Sequence, residues 1–360
     1  MRANDMAGWH PGQPVRKWLS VAAFFYGLIV RLRYWCYSRG WCVSSRLPCR
    51  VVSVGNLTVG GTGKTPIVIL LANWLRTAGH RVAVLSRGYK RVKGHEHLLV
   101  SDGASILAGP SEAGDEPFLI ARRCPGTIVA VGADRASLGR WVLTQQSLDC
   151  IILDDGFQHL KLQRDIDVVL LDATDAAGLD AMMPAGRLRE PLGGLGRATA
   201  VAITRAESKR DVIAIHGRLR AAGLPFEDAI EVSFKPELFV SVQGEQTQSL
   251  EWAGGKKAWL VSGIGNSDSF RRSAESAGVT VVGETAFRDH YHYQSDDVSR
   301  IRADAQSAGA DVVLTTEKDA GKLSVCLRPE DLWWALRIRA EVTQGAERLR
   351  NLVVGEPRKA

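Results

Sequence analysis

The sequence predicts an α/β protein: a parallel sheet with helices on both faces, a second and smaller α/β unit after it, and an amphipathic helix in front. Three observations carry that reading. Compact apolar runs at 150–153, 167–171 and 200–204 alternate with helical stretches, the pattern of parallel strands buried on both faces. A β-branched run beginning at Val51 leads into a glycine-rich turn, 55–65, and then into a helical stretch over 66–78. From Ala258 the series restarts, with an apolar strand, a turn containing Gly263 and Gly265, and a helix.

In chain order, residues 80–87 predict a short buried strand ending in a turn. Residues 90–114 are polar and loop-like, with a small hairpin at 97–100. A helix follows at 116–123, a strand at 127–131 and a helix at 135–145. After the strands at 150–153, 167–171 and 200–204 the texture changes near Phe234, and 239–251 predicts an antiparallel connection. The second unit reads as strand 258–262, helix 270–277, strand 279–282, loop 290–295, helix 297–308 and strand 311–315. A strand or helix follows around 332–341. The organisation implied is an N-terminal helical segment (1–45), a phosphate-loop domain (46–235), linker strands (236–252), a second α/β domain (253–340) and a C-terminal tail (341–360). No repeat of fixed period and no low-complexity tract interrupts it.

A chain of 360 residues suits two domains. Its 45% apolar and 24% charged content is that of an ordinary soluble globular protein. The net charge of +7 suits an anionic partner without choosing among nucleotide, nucleic acid, phosphorylated substrate and acidic membrane. The six cysteines form no C-x-x-C pair, so they read as free thiols of a reducing compartment rather than a zinc site or disulfide framework.

Residues 15–39 place an apolar stretch, Trp18 to Val30, between Arg16 and Lys17 on one side and Arg31, Arg33 and Arg39 on the other. At helical spacing Trp18, Val21, Ala22, Phe25, Leu28, Ile29, Leu32 and Trp35 form one broad stripe. The stretch is shorter than the roughly 20 apolar residues a spanning helix takes, and basic residues downstream oppose export. Aromatics flanked by cations fit a helix lying in a membrane interface; a buried helix packed on the following domain fits equally.

The glycine-rich turn carries the first chemistry. Glycines let a backbone wrap phosphates with its N–H groups pointing inward. Lys64 is placed to reach the β- and γ-phosphates, and the Thr65 hydroxyl to hold Mg²⁺. The helix behind adds its positive N-terminal end. The loop departs from G-x-x-x-x-G-K-[ST] at its first position, where Thr58 stands. Some ninety residues on, the apolar strand 151–153 ends at Asp154 and Asp155, the form of a metal-holding carboxylate element beside such a loop. The domain is therefore expected to be P-loop NTPase-like, with Thr58, Val59, Gly60, Gly61, Thr62, Gly63, Lys64 and Thr65 at the nucleotide.

Taken together, GNLTVGGTGKTP (55–66), SRGY (86–89), GDEP (114–117), DDGFQH (154–159), PAGRLREP (184–191), DHY (289–291) and TTEKD (315–319) make the chain similar to the tetraacyldisaccharide 4'-kinases of lipid A biosynthesis. The motifs run in family order over roughly 51–322, and Thr58 fits the family's own loop. The resemblance implies ATP- and Mg²⁺-dependent transfer of the γ-phosphoryl group to the 4'-hydroxyl of a lipid A disaccharide precursor. It implies a peripheral enzyme on the cytoplasmic face of the inner membrane of a Gram-negative bacterium.

Within that reading Asp154 and Asp155 hold the metal or its water. A sugar hydroxyl must lose a proton, and Asp115 is the candidate base; by itself an aspartate ahead of Glu116-Pro117 and an apolar helix is also a good N-cap. The resemblance pairs Asp115 with His290, with His292 as a near neighbour. The acceptor's own phosphate calls for cations, with Arg135, Arg187 and Arg189 as candidates. Asn56, Glu116, His159 and Glu190 complete the expected acceptor side, and Glu317 and Asp319 are placed to face the nucleotide. No helicase-like or stacking motif supports a nucleic-acid partner, and no obligate protein partner is inferred. The rival reading is a membrane-associated regulatory ATPase, although the loop lacks the extra early lysine of that group.

Overall fold

In the computed structural model, residues 13–89, 91, 96–224, 226–244, 246–328 and 330–355 are described. The sequence readings for 1–12, 90, 92–95 and 356–360 lie outside the described residues.

The chain opens with α1 (Gln13–Ser38), followed by β1 (Arg50–Asn56), α2 (Lys64–Thr77), β2 (Val82–Ser86), β3 (His97–Asp102), α3 (Pro110–Ala113), α4 (Asp115–Arg123) and β4 (Ile128–Gly132). Then come α5 (Arg135–Gln145), β5 (Cys150–Asp154), β6 (Ile166–Asp172), β7 (Ala200–Thr204), α6 (Lys209–Ala221), β8 (Ile230–Ser241) and β9 (Thr247–Gln248). The remainder is β10 (Lys257–Ser262), α7 (Ser267–Ser276), β11 (Thr280–Ala286), α8 (Ser295–Ser307), β12 (Val312–Thr316), α9 (Glu317–Leu323), β13 (Trp334–Gln344) and α10 (Ala346–Val354).

Among the described residues the strands form one sheet, in the order β11-β10-β12-β13-β8-β7-β6-β1-β5-β2-β4-β3, with β9 on β8. Strands β1, β2 and β4 to β7 pair in parallel, and β2, β4, β5 and β7 are buried at every position. Their unbroken apolar runs follow from helices on both faces. Ile67, Val68, Leu71, Ala72 and Leu75 of α2 are buried at helical spacing in the core on one face; Ala136, Leu138 and Val142 of α5 pack on the other. Parallel register brings the carboxyl ends of β1 and β5 together, with Val54 opposite Asp154, so the turn after β1 and the carboxylates after β5 share one edge.

The two α/β units are joined through the sheet itself. β8 and β13 pair antiparallel over almost their whole lengths, with register shifts at Arg337/Ile338 and Val342/Gln344. Separate apolar cores lie on the far side, one built on Phe239, Leu260, Phe270 and Trp334, the other on Val261, Ile301 and Trp333. Residues 341–344 continue β13, and α10 returns to the first unit, where Leu349 and Val353 are fully buried in the core that α2 fills. Residues 97–102 form an edge strand antiparallel to β4, with Leu107 N–H closing onto the Val100 carbonyl.

The N-terminal helix corrects one expectation. The apolar stretch looked too short to cross a bilayer, but the helix runs on through Arg31 and Arg33, and Trp18–Ser38 is long and apolar enough to do so by length and composition. Two arginines interrupt the apolar run without interrupting the helix, since arginine is a good helix former. The helix also has a docked side. Ala23 and Gly27 are buried and Tyr26, Val30 and Tyr34 partly so, with the Tyr26 hydroxyl donating to the Arg189 carbonyl at 2.9 Å. The opposite side, Trp18, Val21, Phe25, Leu28, Ile29, Leu32 and Trp35, is exposed. It is the stripe read from the sequence, and it faces away from the protein.

Candidate active site

A cleft of about 1570 Å³ runs along the carboxyl edge of the strands and between the two α/β units. The turn after β1, the ends of β2, β5 and β7, the head of α4 and the 286–290 segment all reach it. Among the described residues, three that are not glycine have left-handed backbone, Asp155 (φ 54°), Arg205 (φ 54°) and His290 (φ 60°), and all three line this cleft. Such conformations persist only where surroundings over-determine them, and they cluster at functional sites.

The glycine-rich turn divides into two parts. Thr58 is buried and bridges Leu188, and the Val59 N–H donates to the Arg187 carbonyl at 2.8 Å, so the first part is pinned to the 187–188 segment. Gly60 (φ 121°), Gly61, Thr62 and Gly63 (φ 81°) form the open part. A Cβ on Gly63 would run into the Phe234 ring. The Thr62 carbonyl accepts from the Thr204 hydroxyl at 2.9 Å, tying the turn to β7. Lys64 heads α2 with its ammonium 3.7 Å from Asp155 Oδ1, and Thr65 follows it on the cleft wall.

The two carboxylates after β5 differ. Asp155 takes two hydrogen bonds from Arg189, at 3.1 and 2.9 Å. Burial alone would raise its pKa; Lys64 and Arg189 outweigh that and hold it below the usual carboxylate range. Asp154 accepts from the Ser86 hydroxyl at 2.9 Å through Oδ2, while Oδ1 is buried with no hydrogen-bond partner. Burial first, then Glu116 and Asp155, push it up to about 7. A buried carboxylate oxygen left without a donor is what a cation is needed to satisfy.

Across the cleft, His290 Nδ1 lies 3.1 Å from Asp115 Oδ2, whereas His292 is exposed. Asp115 is the first residue of α4, and its carboxylate is engaged by His290 and Lys322. Two lysines on α9, not singled out in the sequence, complete the group. Lys318 Nζ is 3.2 Å from Glu116 Oε1, 3.2 Å from Asp289 Oδ1 and 3.4 Å from His290 Nε2. Lys322 Nζ is 3.2 Å from Asp115 Oδ2 and 2.9 Å from Asp319 Oδ1.

The remaining candidates divide. Arg135 is nearly buried, donates to the Ala133 carbonyl at 2.8 Å, and lines the cleft. His159 lies beside it, lowered to about 4 by burial and then by the Arg135 cation. Glu190 is fully buried, with Gln158 Nε2 at 2.7 Å and Arg197 Nη2 at 2.5 Å, so both its oxygens are engaged. Arg197 in turn lies 4.1 Å from the ring centroids of both Tyr34 and Phe157. Asn56 is buried behind the cleft, its side-chain amide without a hydrogen-bond partner, its carbonyl taking the Gln158 amide. Arg187 serves Val59 and Asp175. Glu317 is taken by Arg123 and Arg337 at 2.6 and 2.8 Å, and Asp319 is fully buried, capping the Gly263 N–H. Arg205, which ion-pairs with Asp172 and reaches Ser269 of α7, is a wall residue that the sequence did not single out.

A family model described as tetraacyldisaccharide-1-P 4'-kinase matches residues 15–354. The chain belongs to this family. Among curated relatives, the tetraacyldisaccharide 4'-kinase of Syntrophus aciditrophicus is 42% identical over 324 residues, covering 85% of this chain and 84% of the relative. That of Anaeromyxobacter sp. strain Fw109-5 is 40% identical, covering 87% and 84%. Among solved structures, LpxK of Aquifex aeolicus in complex with ATP superposes with a TM-score of 0.74 at 32% identity, covering 94% of this chain and 98% of that one. In this family member the fold is therefore a P-loop NTPase-like parallel sheet elaborated by the second α/β unit.

Proposed function

We propose that the chain is an ATP-dependent kinase that transfers the γ-phosphoryl group to the 4'-hydroxyl of a tetraacyldisaccharide 1-phosphate, giving lipid IVA. The observation that carries this is that one cleft is lined by two sets of groups: Lys64, Asp154 and Asp155, and His290, whose ring is held 3.1 Å from the Asp115 carboxylate. A nucleotide switch needs only the first set. The second is what an acceptor hydroxyl requires.

Phosphoryl transfer is mostly positioning and charge neutralisation. Open backbone at Gly60–Gly63 cradles the phosphates, and Lys64, released from Asp155, neutralises the outer ones. The Thr65 hydroxyl and Asp154 fit Mg²⁺, which takes few protein ligands besides phosphate oxygens and water; Ser86 turns Asp154 so that its unpartnered oxygen is the one offered. When bound, Mg²⁺ supplies charge neutralisation on the transferring group. Arg189 orients Asp155, and Arg135 and His159 are the cation and neutral imidazole available to an anionic acceptor. Asp115 takes the acceptor proton, with His290 holding its carboxylate. The phosphate turn and Asp115 belong to the first unit and His290 to the second, so closure of the second unit over the first would exclude water.

The exposed apolar stripe of α1, with Arg31 and Arg39 beside it, is the surface on which the chain meets the membrane that holds its acceptor. Tyr26 and Tyr34 on the other side of the same helix contact Arg189 and Arg197, so it lies on the protein as a peripheral element. The cytoplasmic face of the inner membrane, where ATP is present, is the expected location.

Substitution of Asp115 tests the reading. Asp115→Asn is expected to lower kcat by about 10²–10⁴, the usual worth of a general base, with ATP binding by equilibrium titration unchanged. Turnover near the wild-type rate leaves Asp115 no chemical role.

A further inference from the structure

Lys318 and Lys322 stand one turn apart on α9, and both point at the α4–His290 contact. Lys318 lines the cleft and is in reach of three polar groups from two places: Glu116 on α4, and Asp289 and the imidazole of His290 on the preceding segment. Its side chain is 17% exposed and that of Lys322 9%. Two partly desolvated ammonium groups are costly unless they serve their partners. Surface glue between units would not need them at a histidine nitrogen.

An ammonium donates only. With Lys318 Nζ at 3.4 Å, the Nε2 of His290 is the acceptor, and the ring proton sits on Nδ1. From there it is donated to Asp115 Oδ2 at 3.1 Å. Lys318 thus selects the tautomer that pairs histidine with base. Lys322 reaches the same Oδ2 at 3.2 Å. The other carboxylate oxygen, Oδ1, takes part in neither contact. Asp289, 3.8 Å from Nε2, is already taken by Lys318.

We infer that Lys318 and Lys322 are positioning residues of the transfer reaction, Lys318 by setting the tautomer of His290 and Lys322 by fixing the ionised carboxylate of Asp115. This rests on Asp115 being the base. The other charged and titratable groups facing Asp115 are Glu116 on its own helix, Asp289 and Tyr293 on the preceding segment, and Asp319 on α9. Burial raises the pKa of Asp115; the His290 hydrogen bond, Lys322 and Lys318 more than offset it, and the net shift is downward. Burial likewise would lower Lys318, but Glu116 and Asp289 hold it up.

The test uses the full chain with ATP, Mg²⁺ and the disaccharide acceptor in mixed micelles, and three variants: Lys318→Met, Lys322→Met and Lys322→Arg. Nitrogen-15 NMR of the imidazole rings is expected to find the Nδ1–H tautomer at His290 in the parent and a mixed population in Lys318→Met. Lys322→Met is expected to move the acid limb of the kcat/KM profile to higher pH, because removing the cation raises the pKa of Asp115; Lys322→Arg is expected to restore it. Both methionine variants are expected to lose about tenfold or more in kcat, within the worth of the base itself, with KM for ATP within twofold. If Asp115→Asn is inactive while both methionine variants keep the parental kcat, acid limb and tautomer, the positioning role is refuted and the base reading stands. If Asp115→Asn is itself near normal, the base reading has failed. Should Lys322→Met not fold, because it strands buried Asp319, the Lys318→Met tautomer decides alone.

Discussion

The double substitution Phe25→Gln with Ile29→Gln probes the membrane face of α1. Phe25 and Ile29 are 58% and 66% exposed, four residues apart on the outer stripe. Fully burying such a side chain is worth about 2 kcal/mol, so together they have roughly 2.5 kcal/mol available to a lipid interface. Half immersion would use about 1 kcal/mol, so the expected loss in partitioning is roughly fivefold to sixtyfold. Glutamine keeps helix propensity, and neither residue is buried, so the folded state should be disturbed little. The assay is co-sedimentation with vesicles containing anionic phospholipid, alongside turnover of micelle-dispersed acceptor. Vesicle binding is expected to fall at least fivefold, with micellar turnover within about twofold. Binding that changes less than twofold refutes the assignment of this stripe to the membrane. A large drop in thermal midpoint would show instead that the stripe packs on protein.

Two other substitutions test the site and its scaffold. Lys64→Ala removes the only ammonium in the phosphate turn and is expected to cut kcat by orders of magnitude while the thermal midpoint stays close to that of the parent, because the group lies at the cleft rather than in a core; an unchanged kcat would remove it from the mechanism. Gly55→Ala puts a Cβ 2.5 Å from Phe157 Cβ and 2.9 Å from its backbone nitrogen, and overpacking of this kind costs about 1–3 kcal/mol. Denaturant titration should show a lower midpoint with an unchanged slope, and an unchanged midpoint contradicts the packing described for β1 against the turn after β5.

Much of the site was legible because phosphate chemistry is written locally. Open backbone needs glycine, and a carboxylate at a strand end needs only the strand before it, so Gly60–Thr65 and Asp154–Asp155 could be read as short strings. The Asp115–His290 pair was legible only through the resemblance, since 175 residues separate its members. Lys318 lay inside the quoted TTEKD motif and Lys322 one turn beyond, yet nothing local says that α9 turns this face to α4. Arg197 and Arg205 were missed for the same reason: their partners sit on distant elements, Tyr34 and Phe157 for one, Asp172 and Ser269 for the other. In the fold, the early part of β8 escaped because Pro236 stands in its middle, where proline removes a ladder donor; the register shift at Arg337/Ile338 is where the sheet accommodates it. The stripe on α1 was readable as a stripe, but periodicity says which residues share a face and not which way the face looks. Its outward orientation comes from tyrosines on the other side bonded to the segment that carries Arg189 and Arg197.

The central claim is that the cleft joins a nucleotide to an acceptor hydroxyl. The most direct measurement is mass analysis of a tetraacyldisaccharide 1-phosphate after incubation with the purified chain, ATP and Mg²⁺, with ATP consumption followed in parallel. The account predicts an acceptor heavier by one phosphoryl group at the 4'-position, formed in step with ATP loss, and little ATP loss without acceptor. ATP hydrolysis at the same rate with and without an acceptor that remains unmodified would contradict it.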